Sequence, residues 1–126
     1  MKQKKIIVKT NSQKYSIIIG SNLVGRAAKI IQQSSIRFEK CLIILDKNVP
    51  RKLVIKLKKS LTKKKLYFFT FKSSEKNKNQ KTINTILKIL LNKNFSRQDC
   101  LITLGGGITG DVGGFAASLF KRGLNF

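Results

Sequence analysis

Residues Cys100–Arg122 read CLITLGGGITGDVGGFAASLFKR, and this stretch decides the fold class. Leu101–Leu104 is a short apolar run of the kind found in strands buried on both faces. It leads directly into Gly105-Gly106-Gly107. From Asp111 onward, Val112, Phe115, Ala116, Leu119 and Phe120 recur at helical spacing. The unit is therefore strand, glycine turn, helix. Glycines permit positive φ and remove the Cβ atoms that would hold a phosphate away from the backbone. The helix start beyond them offers unpaired N–H groups and the positive end of a dipole. That dipole contributes only about 0.3–1 kcal/mol at an exposed site, so directed N–H bonds have to do most of the holding. A bare glycine run also fits a strand–helix turn with no ligand. It is not a GxGxxG run followed by an acidic residue, and no GK[ST] follows it. The residues alone lead to a candidate phosphate-binding turn and no further.

Upstream, Lys5–Thr10 and Tyr15–Gly20 are short β-branched runs around the polar cluster Asn11-Ser12-Gln13, which predicts a hairpin. Gly20 breaks the pattern and Ser21 is a candidate N-cap. Leu23, Val24, Ala27, Ala28 and Ile31 then mark a first helix. Cys41–Leu45 is a continuous apolar run closed by Asp46. Pro50 is placed to open a second helix through Leu53, Val54 and Leu57, with Lys63-Lys64-Lys65 at its negative end. Leu66–Phe71 (LYFFTF) reads as a third core strand, and Lys72–Asn79 as a polar loop. Ile83, Ile86, Leu87 and Leu90 follow i, i+3, i+4, i+7 and give the clearest helix. Gly123 ends the last helix, and Leu124-Asn125-Phe126 looks like the start of another strand. Strands and helices alternating at this spacing imply βαβ units and a parallel sheet. The expected fold class is α/β: a Rossmann-like parallel sheet with an N-terminal β-hairpin, incomplete at its C-terminal edge. Residues 1–126 are expected to form one such domain.

The chain has 126 residues, 41% of them hydrophobic, with 27 Lys+Arg against 5 Asp+Glu and a net charge of +22. Two readings of this charge differ in their predictions. A nucleic-acid binder would use its basic groups to displace counterions from phosphates. A Lys-biased surface would carry the same charge without a polyanion partner. The lysines run along the whole chain, Lys outnumbers the Arg suited to base-edge readout, and no zinc finger or Arg-rich arm accompanies them. The pattern favours surface bias. Either way anions feel an attractive field whose reach shrinks to about 8 Å at physiological ionic strength. The absence of His removes His-based acid–base chemistry and His-ligated metal sites from these residues. Cys41 and Cys100 lie far apart in sequence, in apolar contexts, and read as small core residues rather than a disulfide. The apolar run near the N-terminus is too short for a signal peptide. No stretch approaches the roughly 18–20 apolar residues of a membrane span, so a cytoplasmic protein is expected.

The segment LGGGITGDVGGFAASLFKRG resembles the LGGGvxGDxxGFaAaxyxRG signature of 3-dehydroquinate synthases. YSIIIGSNL (Tyr15–Leu23), LDKNV (Leu45–Val49) and SSEKNKNQKT (Ser73–Thr82) resemble, in order, that family's opening hairpin, its strand-end DxNV and its DGExxKxxxT loop. The resemblance covers essentially all 126 residues but only about the first third of a full-length member. It implies an NAD-dependent lyase that also needs zinc or another divalent metal. That enzyme converts 3-deoxy-D-arabino-heptulosonate 7-phosphate to 3-dehydroquinate and phosphate in the shikimate pathway of aromatic amino acid biosynthesis. Related sugar-phosphate cyclases, such as 2-deoxy-scyllo-inosose synthases, share the glycine turn and remain an alternative, as does a basic NAD- or polyanion-binding module.

Position by position, the resemblance places Asp46 and Asn48 on the adenosine side of NAD, and Glu75 and Lys78 at its ribose region. It places Gly106, Gly107 and Ile108 on the pyrophosphate. Asp111 would close the site and cap the helix, and Arg122 would reach the substrate of a neighbouring subunit in a homodimer. Ser73-Ser74 departs from the usual Asp-Gly. The family's Thr pair, its substrate-binding lysines and its Glu/His/His metal ligands fall after Phe126. The helical metal-binding domain is therefore expected to be absent, and the chain inactive without a separate C-terminal partner.

Overall fold

The run Lys40–Asp46 forms the central strand, here β3, and its neighbours on both sides run parallel to it. The computed structural model describes residues 2–126. Before β3 come β1 (Lys4–Lys9) and β2 (Lys14–Ile19), an antiparallel hairpin pairing Lys4 with Ile19 and Lys9 with Lys14. A 3-10 turn at Val24–Arg26 leads into α1 (Ala27–Gln33). After β3 the order is α2 (Arg51–Ser60), β4 (Lys65–Phe71), a 3-10 turn at Glu75–Asn77, α3 (Gln80–Asn92), β5 (Cys100–Leu104) and α4 (Gly107–Leu119). A last 3-10 turn covers Phe120–Arg122. The main sheet has the order β4-β3-β5, with Ile43 beside Phe68 on one side and Ile102 on the other. Asn125 makes a parallel bridge to Cys100, and its carbonyl accepts from Leu101 N at 2.8 Å. Here the residues after α4 begin a strand beside β5, as expected.

Alternation along β3 builds two cores. Leu42 and Ile44 face α3 and α4, packing with Ile83, Ile86, Leu90, Val112 and Ala116. Cys41 and Ile43 face the other way, towards Leu57 and Leu61 beside α1 and α2. Such burial explains why nothing polar lies between Lys40 and Asp46. The two cysteines, distant in sequence, are register partners on β3 and β5. Both are free and buried, and the Cys100 side chain together with burial pushes the Cys41 thiol far up. Both are packing residues.

Several expected details change. β4 is an edge strand, not a core one: Tyr67, Phe69 and Phe71 lean on the α3/α4 core while Phe68 stays 36% exposed. Lys58 Nζ lies 4.8 Å from the Phe68 ring, covering part of that edge. Ser21 is not a cap, because the turn starts later, at Leu23, after Asn22 adopts φ 58°. α2 ends at Ser60, so Lys58 and Lys59 occupy its last turn. Lys64 instead donates to Phe38 O, and Lys65 opens β4. The largest shift is at α4, which begins at Gly107, four residues before Asp111. Glycine's poor helix propensity hid that first turn. Among the described residues no helix is long and apolar enough to cross a membrane.

Gly113 fixes how closely α4 lies on the sheet. A Cβ there would run into the Thr103 methyl and stand 3.2 Å from Leu101 Cδ2. Gly110, one turn earlier, has nothing within 4 Å of the same position. We therefore expect Gly113→Ala to cost about 1–3 kcal/mol by overpacking. Gly110→Ala should be neutral or stabilise by up to about 1 kcal/mol. Urea unfolding of the two variants side by side checks this, and equal midpoints would contradict the packing role of Gly113.

Candidate functional site

The strand ends and the start of α4 converge at one edge of the sheet. In open α/β sheets this carboxyl end is where ligands bind. Asp46, the last residue of β3, turns its Oδ1 onto Asn48 N at 3.2 Å and Ser73 N at 3.4 Å. It thereby ties the β3 exit to the β4 exit. Among the described residues, Oδ2 has no hydrogen-bond partner and is open to a further donor.

The three glycines have distinct jobs. Gly105 is required by packing, since a Cβ there would meet the Thr109 hydroxyl and stand 3.0 Å from Asp46 Cβ. Gly106 is the residue before the helix, at φ −90° and ψ −163°, and no side chain caps α4. Gly106 and Gly107 have nothing within 4 Å of where a Cβ would be. They need no positive φ; what their lack of a side chain provides is open approach. The first hydrogen bond back along the turn is Gly110 N to Gly106 O at 3.1 Å. The N–H groups of Gly107, Ile108 and Thr109 thus have no partner within the helix. Ile108 contributes through its backbone, because its side chain packs on the α3/α4 core.

Asp111 falls in the second turn of α4 and caps nothing, which corrects the expected capping role. Its Oδ2 instead meets Lys78 Nζ at 2.9 Å. Lys78 ends the 3-10 turn that starts at Glu75, and Asn79 beside it caps α3 by accepting from Thr82 N at 3.0 Å. The pair ties the loop before α3 to α4 beside a cleft of about 480 Å³ lined by Asn79, Ile83, Val112 and Phe115. Lys78 is thus paired with Asp111, and Glu75 adds a weaker pull.

Arg122 lies apart from the rest. α4 runs back along the sheet for 13 residues, about 20 Å. Arg122 therefore sits at the opposite edge, lining an open cleft with Arg37, Arg97 and Asn125. Two residues that sequence reading did not assign join the strand-end group. Ser73 and Thr109 have hydroxyl oxygens 2.9 Å apart, one donating to the other. Thr109 is fully buried. Nothing in the linear pattern brings together residues 36 apart.

The unoccupied N–H groups, the open glycine positions and the free Asp46 oxygen suit a ligand with a phosphate beside vicinal hydroxyls. No cluster of three or more His, Cys, Asp or Glu occurs among the described residues, so these side chains do not fit a metal centre. The Lys78 pKa is raised above the ordinary 10.5, first by the hydrogen bond from its ammonium to Asp111, then by the charges of Asp111 and Glu75. The pair's contribution is present while Lys78 is protonated and is lost as pH rises through that raised value. NMR titration of Lys78 in Asp111→Asn should show its pKa falling back towards 10.5. An unchanged titration would contradict the pairing.

Comparison with known proteins finds relatives along nearly the whole chain. The family model described as 3-dehydroquinate synthase N-terminal matches residues 68–126. A 3-dehydroquinate synthase of Pelagibacter ubique is 56% identical over 122 residues, which is 97% of this chain and 33% of that protein. One from Bartonella tribocorum is 35% identical over 132 residues, covering all of this chain and 35% of its own length. Among solved structures, a 2-deoxy-scyllo-inosose synthase complexed with carbaglucose-6-phosphate, NAD+ and Co2+ superposes with a TM-score of 0.83 at 20% identity. That match covers 96% of this chain and 33% of the other. The 2-epi-5-epi-valiolone synthase ValA of Streptomyces hygroscopicus, with NAD+ and Zn2+ bound, gives a TM-score of 0.66 over 79% of this chain and 28% of its own. These structures share the α/β fold. The chain spans about a third of the length of the curated relatives it matches. With more than half its residues identical to one of them across nearly its whole length, it belongs to the 3-dehydroquinate synthase family and corresponds to that family's N-terminal part.

Proposed function

We propose that these residues form the NAD-binding part of a 3-dehydroquinate synthase, which converts 3-deoxy-D-arabino-heptulosonate 7-phosphate to 3-dehydroquinate and phosphate. The observation that carries this reading is the α4 start: free N–H groups at Gly107 and Ile108, behind glycines whose Cβ positions are open. In this reading those N–H groups hold the pyrophosphate. Asp46 accepts from ribose hydroxyls through its free oxygen, a charged hydrogen bond, and Asn48 lies on the adenine side. Glu75 and Lys78 hold the ribose region, and Asp111 fixes Lys78 there. NAD, when bound, supplies a hydride acceptor for the substrate alcohol.

Arg122 is assigned to substrate binding in a neighbouring subunit. Its place at the far edge of the sheet supports this, because it cannot meet the nucleotide held by its own chain. No step is assigned to a metal within these residues. The Co2+ and Zn2+ of the two cyclase structures support a divalent metal in the complete enzyme, and their NAD+ supports the cofactor. The identity to 3-dehydroquinate synthases favours that reaction over the related cyclases, whose 20% identity reports fold alone. A cytoplasmic location goes with this biosynthetic role.

The 126-residue chain, purified and given NAD and zinc, is expected to turn over no substrate and to bind NAD only weakly. Calorimetry returning low-micromolar affinity, or measurable turnover, would sink the view that the site is completed by other residues. Asp46→Asn should weaken NAD at least about tenfold, the scale of a lost hydrogen bond to a charged group. An unaltered affinity in that variant would remove the nucleotide reading.

A further inference from the structure

The hydrogen bonds at the strand ends form a chain through three elements. Asp46 Oδ1 at the end of β3 accepts from Ser73 N just beyond β4. The Ser73 hydroxyl meets that of Thr109 at 2.9 Å, in the first turn of α4. Thr109 in turn fills the space beside Gly105 where a Cβ would otherwise project. The β4 exit loop is therefore held on one side by the carboxylate and on the other by the helix start. These are the two groups that have to keep a fixed spacing if one ligand is to touch both.

We propose that Ser73 and Thr109 are positioning residues for the dinucleotide: their hydroxyl pair sets the Asp46 carboxylate at a fixed distance from the Gly107 and Ile108 N–H groups. Neither side chain contacts the ligand. Thr109 is wholly buried, and its hydroxyl is engaged by Ser73. Their effect passes through the Ser73 N–H to Asp46 and through the α4 backbone to the turn. A hydroxyl pair of this kind, half-buried at Ser73 and buried at Thr109, is directional and sensitive to the loss of either member. This inference rests on the nucleotide reading above and adds two residues to it.

A double-mutant cycle on the 126-residue chain tests it, with NAD affinity read from amide shifts, which follow weak binding. Thr109→Val keeps the shape and removes the hydroxyl, and Ser73→Ala removes its partner. Each is expected to weaken NAD about three- to tenfold, the range for one neutral hydrogen bond. The double variant should match the worse single, because both remove the same bond. Thr109→Ser retains the hydroxyl and should stay within about twofold of the unaltered chain. This also keeps the test open if Thr109→Val does not fold. Losses that multiply in the double variant, or a Thr109→Ser variant as weak as Thr109→Val, would overturn the positioning role. So would unchanged affinity in the singles of a chain that does bind NAD. No NAD-dependent shift in the unaltered chain would instead overturn the nucleotide reading and the positioning role with it.

Discussion

The burial of β3 on both faces is the constraint from which the rest follows. Leu42 and Ile44 point one way, Cys41 and Ile43 the other, and all four are fully buried. A strand like this needs a hydrogen-bonded neighbour at each edge and a helical layer on each face. Parallel neighbours put every strand end at the same edge of the sheet. Asp46, the β4 exit and the glycine turn are gathered there by topology, although 27 or more residues separate each from the next. The site is thus a consequence of how the core is closed. Gly113 refines it, since it lets α4 lie close on Thr103 and Leu101.

Much of this architecture is legible in the residues. The β3 run, the i, i+3, i+4, i+7 pattern of α3 and the polar break of the hairpin each have one physical reading. The apolar aromatic run of β4 looks the same at the edge of a sheet as in its middle; only the neighbours differ. The α4 start is hidden in the sequence because its first turn contains Gly107 and Gly110, poor helix formers that the fold overrides. Of the candidate site, the backbone role of the glycine turn was readable from composition. The partnership of Lys78 with Asp111, the Ser73–Thr109 pair and the position of Arg122 at the opposite edge were not. Each depends on which loops the sheet brings together, and no periodicity encodes that.

The charge takes on a more specific meaning in three dimensions. With few carboxylates available, lysines satisfy backbone carbonyls instead. Lys40 Nζ donates to Lys93 O and Asn94 O at the C-terminal end of α3, and Lys121 Nζ donates to Phe95 O. Lys93 O is an acceptor that the helix end leaves over, and Asn94 and Phe95 belong to the turn just beyond it. Two of the scarce acids, in turn, organise backbone. Asp99, 6% exposed, accepts from Lys40 N and Ser96 N and so joins the starts of β3 and β5. Asp46 does the same at the other edge. A chain of +22 thus uses Asp46 and Asp99 to tie strand ends together while its lysines cover the surface.

The central claim is that one edge of the sheet, at the start of α4, receives NAD. Hydrogen–deuterium exchange of the chain with and without NAD tests it most directly. The account predicts slowed exchange confined to residues 105–110 and 46–48, with the region of Lys78 following. Protection spread over the lysine-rich faces, or none at the glycine turn, would contradict it.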